Sequence, residues 1–287
     1  MQPSATRSPT PSHQLVTNRD VAPDDAWVRA ENATLGACLD AGLDVELALD
    51  LGLLRAHAPA VADALGGLAS VDEPVFQTGR PVVRATPDDR NRVLNALGIG
   101  RGERPSLWRV RGIDRIAAVD GGAWRYYSVP NKETVRVLDD PSPDLKAAIR
   151  STIADVPCTG LFPYGTLATW TVADISVELT AEELWLVRAD GETQWYPHDT
   201  LQGVVVDPAA CELVLTWPTR RDGASSSLGR VVGRLLDRRK ESPPRFLHPP
   251  DDAVLEAAAT AYELVADRLC QDFEVRRQAG VAASVRR

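Results

Sequence analysis

Between Thr169 and Trp217 five short apolar or alternating runs follow one another closely, and this pattern constrains the fold more than any other feature of the chain. The runs span 169–179, 184–189, 193–196, 201–207 and 211–217, and the turn residues Ala189-Asp190-Gly191 and Asp207-Pro208 punctuate them. Side chains alternate between faces along a strand, so short runs bounded by turn signals predict an antiparallel sheet. A long helical pattern comes later, from Asp251 or Asp252 through Phe273. It places Leu255, Ala258, Ala259, Tyr262, Val265, Ala266 and Leu269 on one apolar side.

The first half reads differently. Residues 1–23 are rich in Ser, Thr and Pro at their start and read as a disordered leader. Asp24 is placed to cap a helix carrying Trp27, Ala30, Leu35, Cys38 and Leu39, with Gly42 at its end. A second helix is expected from Asp44 through Val45, Leu47, Ala48, Leu51 and Leu54, and a third is opened by Pro59. Another spans Pro87 to Leu97. Two extended runs, 113–119 and 124–129, flank Asp120-Gly121-Gly122 and predict a hairpin, and 143–156 returns to a helical pattern.

These readings give an α+β chain, a helical N-terminal region followed by an antiparallel sheet or barrel closed by a C-terminal helix. The expected divisions are a leader, 1–23, and a mostly helical region, 24–105. A hairpin plus helix over 106–165 could belong to the C-terminal domain, 166–275, which carries a basic insertion at 218–250. A disordered tail, 276–287, completes the chain.

Composition bounds the functional classes. Of the 287 residues 44% are hydrophobic and 25% charged, the proportions of a chain that buries a real core. Arg, Asp or Pro interrupts every apolar run before the roughly 20 residues a bilayer span requires. The formal net charge is −8, and only Lys132, Lys146 and Lys240 are lysines, a balance that resembles proteins of salt-adapted or high-GC sources and disfavours whole-protein attraction to nucleic acid or anionic membrane. Cys38, Cys158, Cys211 and Cys270 form no C-x-x-C pair, and His occurs only at 13, 57, 198 and 248. Four free thiols in a reducing cytoplasm are therefore expected, with no metal site and no cofactor.

Four stretches of the second half carry a family resemblance: Ile175-Ser-Val-Glu-Leu-Thr, Glu183-Leu-Trp-Leu-Val, Trp195-Tyr-Pro-His-Asp-Thr-Leu-Gln-Gly-Val and Glu212-Leu-Val-Leu-Thr-Trp. Together they resemble the prokaryotic pleckstrin-homology-like domains over about Leu167 to Phe273. That resemblance implies a barrel capped by a helix and a binding platform for proteins, peptides or lipid headgroups, with no catalytic residues.

The sharpest candidate site is basic. Arg220, Arg221, Arg230, Arg234, Arg238, Arg239, Lys240 and Arg245 crowd one segment of an acidic chain, while Leu228, Val231, Val232, Leu235 and Leu236 recur at helical spacing. A basic amphipathic helix suits an acidic protein face, an anionic lipid surface or a nucleic-acid backbone, and a solvated loop docked on its own sheet is the plainer alternative. Binding is accordingly assigned to Arg220, Arg221, Arg230, Arg234, Arg238, Arg239 and Leu235. An enzyme with a site near Cys158, Tyr164 or His198 is the first alternative, although adjacent His198 and Asp199 would point apart on a strand. A nucleic-acid-associated role through 220–245 with Arg276, Arg277, Arg286 and Arg287 is the second. Gly98-Ile-Gly100-Arg-Gly102 follows a helix instead of a strand and reads as linker. Acidic Asp44, Glu46, Asp50 and Asp63 argue against phosphate contact by 45–65. Trp170, Trp185, Trp195 and Trp217 are expected to fill a core or line a pocket.

Overall fold

A computed structural model describes residues 10–98, 112–130, 136–139, 142–218 and 242–278. The chain divides into two compact units, Met1–Tyr164 and Gly165–Arg287.

In the first unit strands and helices interleave. The strands are β1 (His13–Thr17), β2 (Asp44–Leu49), β3 (Ala69–Ser70), β4 (Val82–Ala85), β5 (Ile113–Asp120), β6 (Ala123–Ser128), β7 (Arg136–Leu138) and β8 (Thr159–Pro163). They form one sheet in the order β3-β4-β2-β5-β6-β7-β1-β8, with every described pairing antiparallel. The helices are α1 (Ala26–Asp40), α2 (Leu51–His57), α3 (Pro59–Gly66), α4 (Arg90–Gly98) and α5 (Pro143–Ile153).

The expected order of a helical N-terminal region followed by a sheet or barrel is therefore overturned. The run Asp44–Leu49, expected to begin a helix, is strand β2. It pairs with β4 and β5 near the middle of the sheet and is covered on both faces. Val45, Leu47 and Leu49 meet the helix-side core, whereas Ala48 joins Phe76, Val82, Ala117 and Val119 on the opposite side. Its residues Asp44-Val-Glu-Leu-Ala-Leu do alternate as a strand does, with buried Glu46 paired to Arg84, but Leu47, Ala48, Leu51 and Leu54 also satisfy a helical spacing that runs on into α2. His13–Thr17, placed in a disordered leader by composition, forms β1 between β7 and β8. Its Leu15 and Val16 are buried there.

Local chemistry fixes the helix ends. The Asp50 carboxylate accepts from the Leu53 backbone N–H at 2.9 Å and starts α2. Pro59 occupies the first turn of α3, and Ser142 caps α5 through the Leu145 N–H. The chain passes from β5 to β6 through Gly121 and Gly122 at φ +55° and +87°, the left-handed pair that a two-residue hairpin turn demands.

At Gly112 the backbone lies at φ +94°, and a Cβ would meet Leu54 Cγ at 2.6 Å and the Asp50 carbonyl at 3.2 Å. Its own carbonyl accepts from the Asp50 N–H at 2.8 Å and joins β5 to the α2 cap. Gly112→Ala is expected to cost about 2 kcal/mol, combining backbone strain with overpacking. Urea unfolding measures it, and a midpoint equal to wild type would show that the junction yields freely.

The second unit holds two open four-stranded sheets. One is a meander of β9 (Ala168–Val172), β10 (Ile175–Leu179), β11 (Glu183–Arg188) and β12 (Thr193–Pro197), in the order β12-β11-β10-β9. The other runs β15-β14-β13-β16, from β13 (Gly203–Asp207), β14 (Glu212–Thr216), β15 (Phe246–Leu247) and β16 (Glu274–Arg277). Among the described residues no barrel forms. The edge of β13 away from β14 is occupied by the parallel strand β16, so β13 does not bond to β12 and the sheets stay separate. The expected C-terminal helix is present as α6 (Asp252–Arg268), but it stops short of Phe273. Arg276 and Arg277, expected in a disordered tail, belong to β16.

Helix α6 touches β9 of the first sheet and β13, β14 and β16 of the second. Its buried residues are Leu255, Ala258, Ala259, Ala261, Tyr262 and Val265. No described helix is long and apolar enough to cross a membrane.

Candidate functional site

The outer face of the β9–β12 meander presents an aromatic pair in an acidic setting. Thr180 organises one end of it, since its hydroxyl accepts from the Glu183 N–H at 3.0 Å and closes the turn between β10 and β11. At the other end Asp190 accepts from the Glu192 N–H at 2.9 Å, and Gly191 takes φ +88°. These turns fix a register in which Thr169, Glu178, Trp185 and Trp195 stand opposite one another across the four strands. Directly opposed residues share a face. Ala168, Trp170, Val177, Leu179 and Leu184 occupy the alternate positions and are buried.

Trp185 and Trp195 pair across β11 and β12 with ring centroids 6.5 Å apart and planes tilted by 37°. Trp195 is 43% exposed, an unusual state for so large an apolar side chain on a strand. Glu183, two residues before Trp185, shares its face. Partial burial raises the carboxyl above its ordinary range and repulsion from Glu182 and Asp199 adds to this, while a hydrogen bond from Trp185 opposes it.

Beneath the opposite side of this sheet lies His198, in a short 3-10 turn (His198–Thr200). It is fully buried, although its place in a turn suggests a solvated ring, and the rings of Tyr262 and Phe273 meet it edge-on. Nε2 lies 3.1 Å from the Thr180 carbonyl, which only accepts, so Nε2 carries the proton and Nδ1 is a bare lone pair without a partner among the described residues. Burial holds this imidazole down to about 4. Asp199 is exposed and makes no pair with it.

The remaining expected site residues are dispersed. Arg220, Arg221, Arg230, Arg234, Arg238, Arg239 and Leu235 lie outside the described residues, as does the helix expected around them. Cys38 and Cys211 are free thiols, and burial pushes Cys38 up to about 12. Cys158 and Cys270 are not free thiols, so the expectation of four fails and Cys158 has no thiolate to offer as a nucleophile. Arg277 bonds Glu256 at 2.6 and 2.9 Å and Glu263 at 2.9 Å, fastening β16 to α6. Arg276 bonds Glu274 at 2.6 Å. Arg276 and Arg277 are thus neutralised on the protein's own surface, and Arg286 and Arg287 lie outside the described residues.

Trp217 donates its indole N–H to the Pro244 carbonyl at 2.6 Å and stacks near Tyr196. Of the four tryptophans expected in a core or pocket, Trp170 is a core residue, whereas Trp185 and Trp195 stand on the outer face.

A buried polar network in the first unit had no sequence signal. Tyr126 and Ser128 donate to the Glu31 carboxylate, and Arg136 donates to the Trp27 carbonyl and to Thr17 Oγ1. Burial, and then the negative charge of Glu31, raise the Tyr126 phenol. Thr17 also lines a small cleft with Arg19, Ala22, Pro23, Asp24 and Trp27, and its hydroxyl is already engaged by Arg136 and Thr159. The network reads as a device that fixes α1 on β1, β6 and β7. No group of three potential metal ligands occurs among the described residues.

Compared with models of known protein families, with curated proteins and with solved structures, the chain matches none. Function therefore rests on the geometry alone.

Proposed function

We propose that the Gly165–Arg287 unit is a non-enzymatic binding module that engages another protein through the outer face of the β9–β12 sheet. The exposed Trp195, paired with Trp185, carries this reading. Tryptophan is enriched among the residues that dominate binding energy, and a cross-strand pair offers a large rigid contact at little entropic cost. Glu178 and Glu183 on this face would repel anionic lipid or nucleic acid, which favours a protein partner.

The test uses wild type and a Trp185→Ser/Trp195→Ser variant as purified full chains. A partner bound by the wild type should be held about tenfold or more weakly by the variant, as expected for loss of central aromatic contacts. Partner binding unchanged in a variant that melts like wild type would move the interface elsewhere.

A further inference from the structure

We propose that strand β9 is a pairing edge that takes a second copy of this chain, antiparallel, so that two meanders join in one continuous sheet. Six strands end a sheet among the described residues, and five of them carry a device that discourages further pairing. β3 and β15 are two residues long, β8 and β12 end on Pro163 and Pro197, and β16 carries Glu274, Arg276 and Arg277. β9 has none of these. Its five residues, Ala168-Thr-Trp-Thr-Val, hold no charge and no proline, and they run beside β10 without a break in register.

The turn that follows β9 defines its free side. Only Ala173 and Asp174 separate Val172 from Ile175, and in such a two-residue hairpin the closing residues exchange hydrogen bonds. Trp170 and Ala168 follow at alternate positions and bond β10 in the same way, so Thr169 and Thr171 direct their backbone N–H and C=O groups away from the sheet. Both threonines are exposed, and no described residue bonds these groups. Val172 beside them is 38% exposed.

The sequence of the edge selects its occupant. About a twofold axis passing beside Trp170, Thr169 lies opposite Thr171 of the second copy, and Ala168 lies opposite its Val172. Because these threonines are the residues whose backbone groups point outward, each such pair exchanges hydrogen bonds as an antiparallel ladder requires. Thr–Thr pairs across strands are favourable, and small Ala168 meets larger Val172. An edge without charge has nothing with which to select a charged segment, whereas its own copy needs no counter-charge. The contact is isologous and closes on itself. A ladder of five residues is smaller than the roughly 1,200 Å² of a stable interface, so the dimer forms at raised protein concentration.

The test is sedimentation velocity of the full chain over a concentration series, with amide hydrogen exchange of Thr169 and Thr171 followed at both ends of it. The sedimenting mass should double, and exchange at both amides should slow about tenfold or more as the dimer fills. Thr171→Pro removes an outward N–H that β10 does not use, and Thr169→Lys with Thr171→Lys sets like charges opposite one another. Both variants should stay monomeric while their urea midpoints stay near wild type. If Thr171→Pro does not fold, the lysine variant and the amide exchange decide. A wild-type chain that is monomeric at every concentration overturns the proposal, as does a dimer that survives in the folded lysine variant. A dimer whose Thr169 and Thr171 amides exchange as fast as in the monomer would place the contact elsewhere, and its loss in Trp185→Ser/Trp195→Ser would assign it to the outer face. Protection that arises only when another protein is added would overturn the second copy as occupant.

Discussion

Leu269→Asp is expected to destabilise the Gly165–Arg287 unit by about 4 kcal/mol, because a carboxylate would replace an apolar side chain that is almost wholly buried. Leu269 follows the last turn of α6, is buried, and gives its backbone N–H to the Val265 carbonyl at 3.0 Å. The helix it ends contacts β9 in one sheet and β13, β14 and β16 in the other, so loosening its end strips cover from both. Thr260→Asp is the control, since Thr260 is on the exposed side of the same helix and should change stability by no more than about 0.5 kcal/mol. Urea titration of both variants checks the pair. A Leu269→Asp midpoint equal to that of Thr260→Asp would show that the helix end is not anchored.

His198 should impose a pH dependence of comparable size. An unfolded histidine takes up its proton near pH 6.5, and the buried ring in the folded protein does so only near 4. Between those values the unfolded chain binds more protons, so stability falls as pH drops from about 6.5 to about 4, by about 3 kcal/mol in all. Above that window the group contributes no slope. His198→Phe keeps an aromatic ring against Tyr262 and Phe273 and removes the titrating nitrogen. It also removes the hydrogen bond to the Thr180 carbonyl, at a cost of about 1 kcal/mol at neutral pH. The variant should therefore be slightly less stable than wild type at pH 7.5 and more stable at pH 4.5. Parallel slopes for the two proteins through this range would place the acid sensitivity on other groups.

The same histidine marks a limit of sequence reading. In the string Trp195-Tyr-Pro-His-Asp it stands among turn residues and looks solvated, and nothing nearby announces α6, which begins 54 residues later and supplies Tyr262 above it. The outer face was half legible. Alternation places Trp185 and Glu183 together on one side of β11, but the row Thr169, Glu178, Trp185, Trp195 depends on the register, and a shift by one residue would send Trp195 to the other face. The four tryptophans were visible as a group. Which of them fill the core and which stand on the surface was not.

What the sequence determined by itself is whatever is settled within about one turn of chain. Pro59 opens α3, Gly121 and Gly122 reverse the chain, and the periodic apolar positions of 252–268 form a helix, because each of those outcomes depends on φ preference or on hydrogen bonds between near neighbours. Only tertiary structure decided that Asp44–Leu49 is a strand, that His13–Thr17 enters the sheet, and that β16 takes the edge of β13 and keeps the sheets open. The physical reason is common to all three. A strand is held by partners distant in sequence and, when covered on both faces, by two separate cores, so its own residues carry only half of the interactions that make it one.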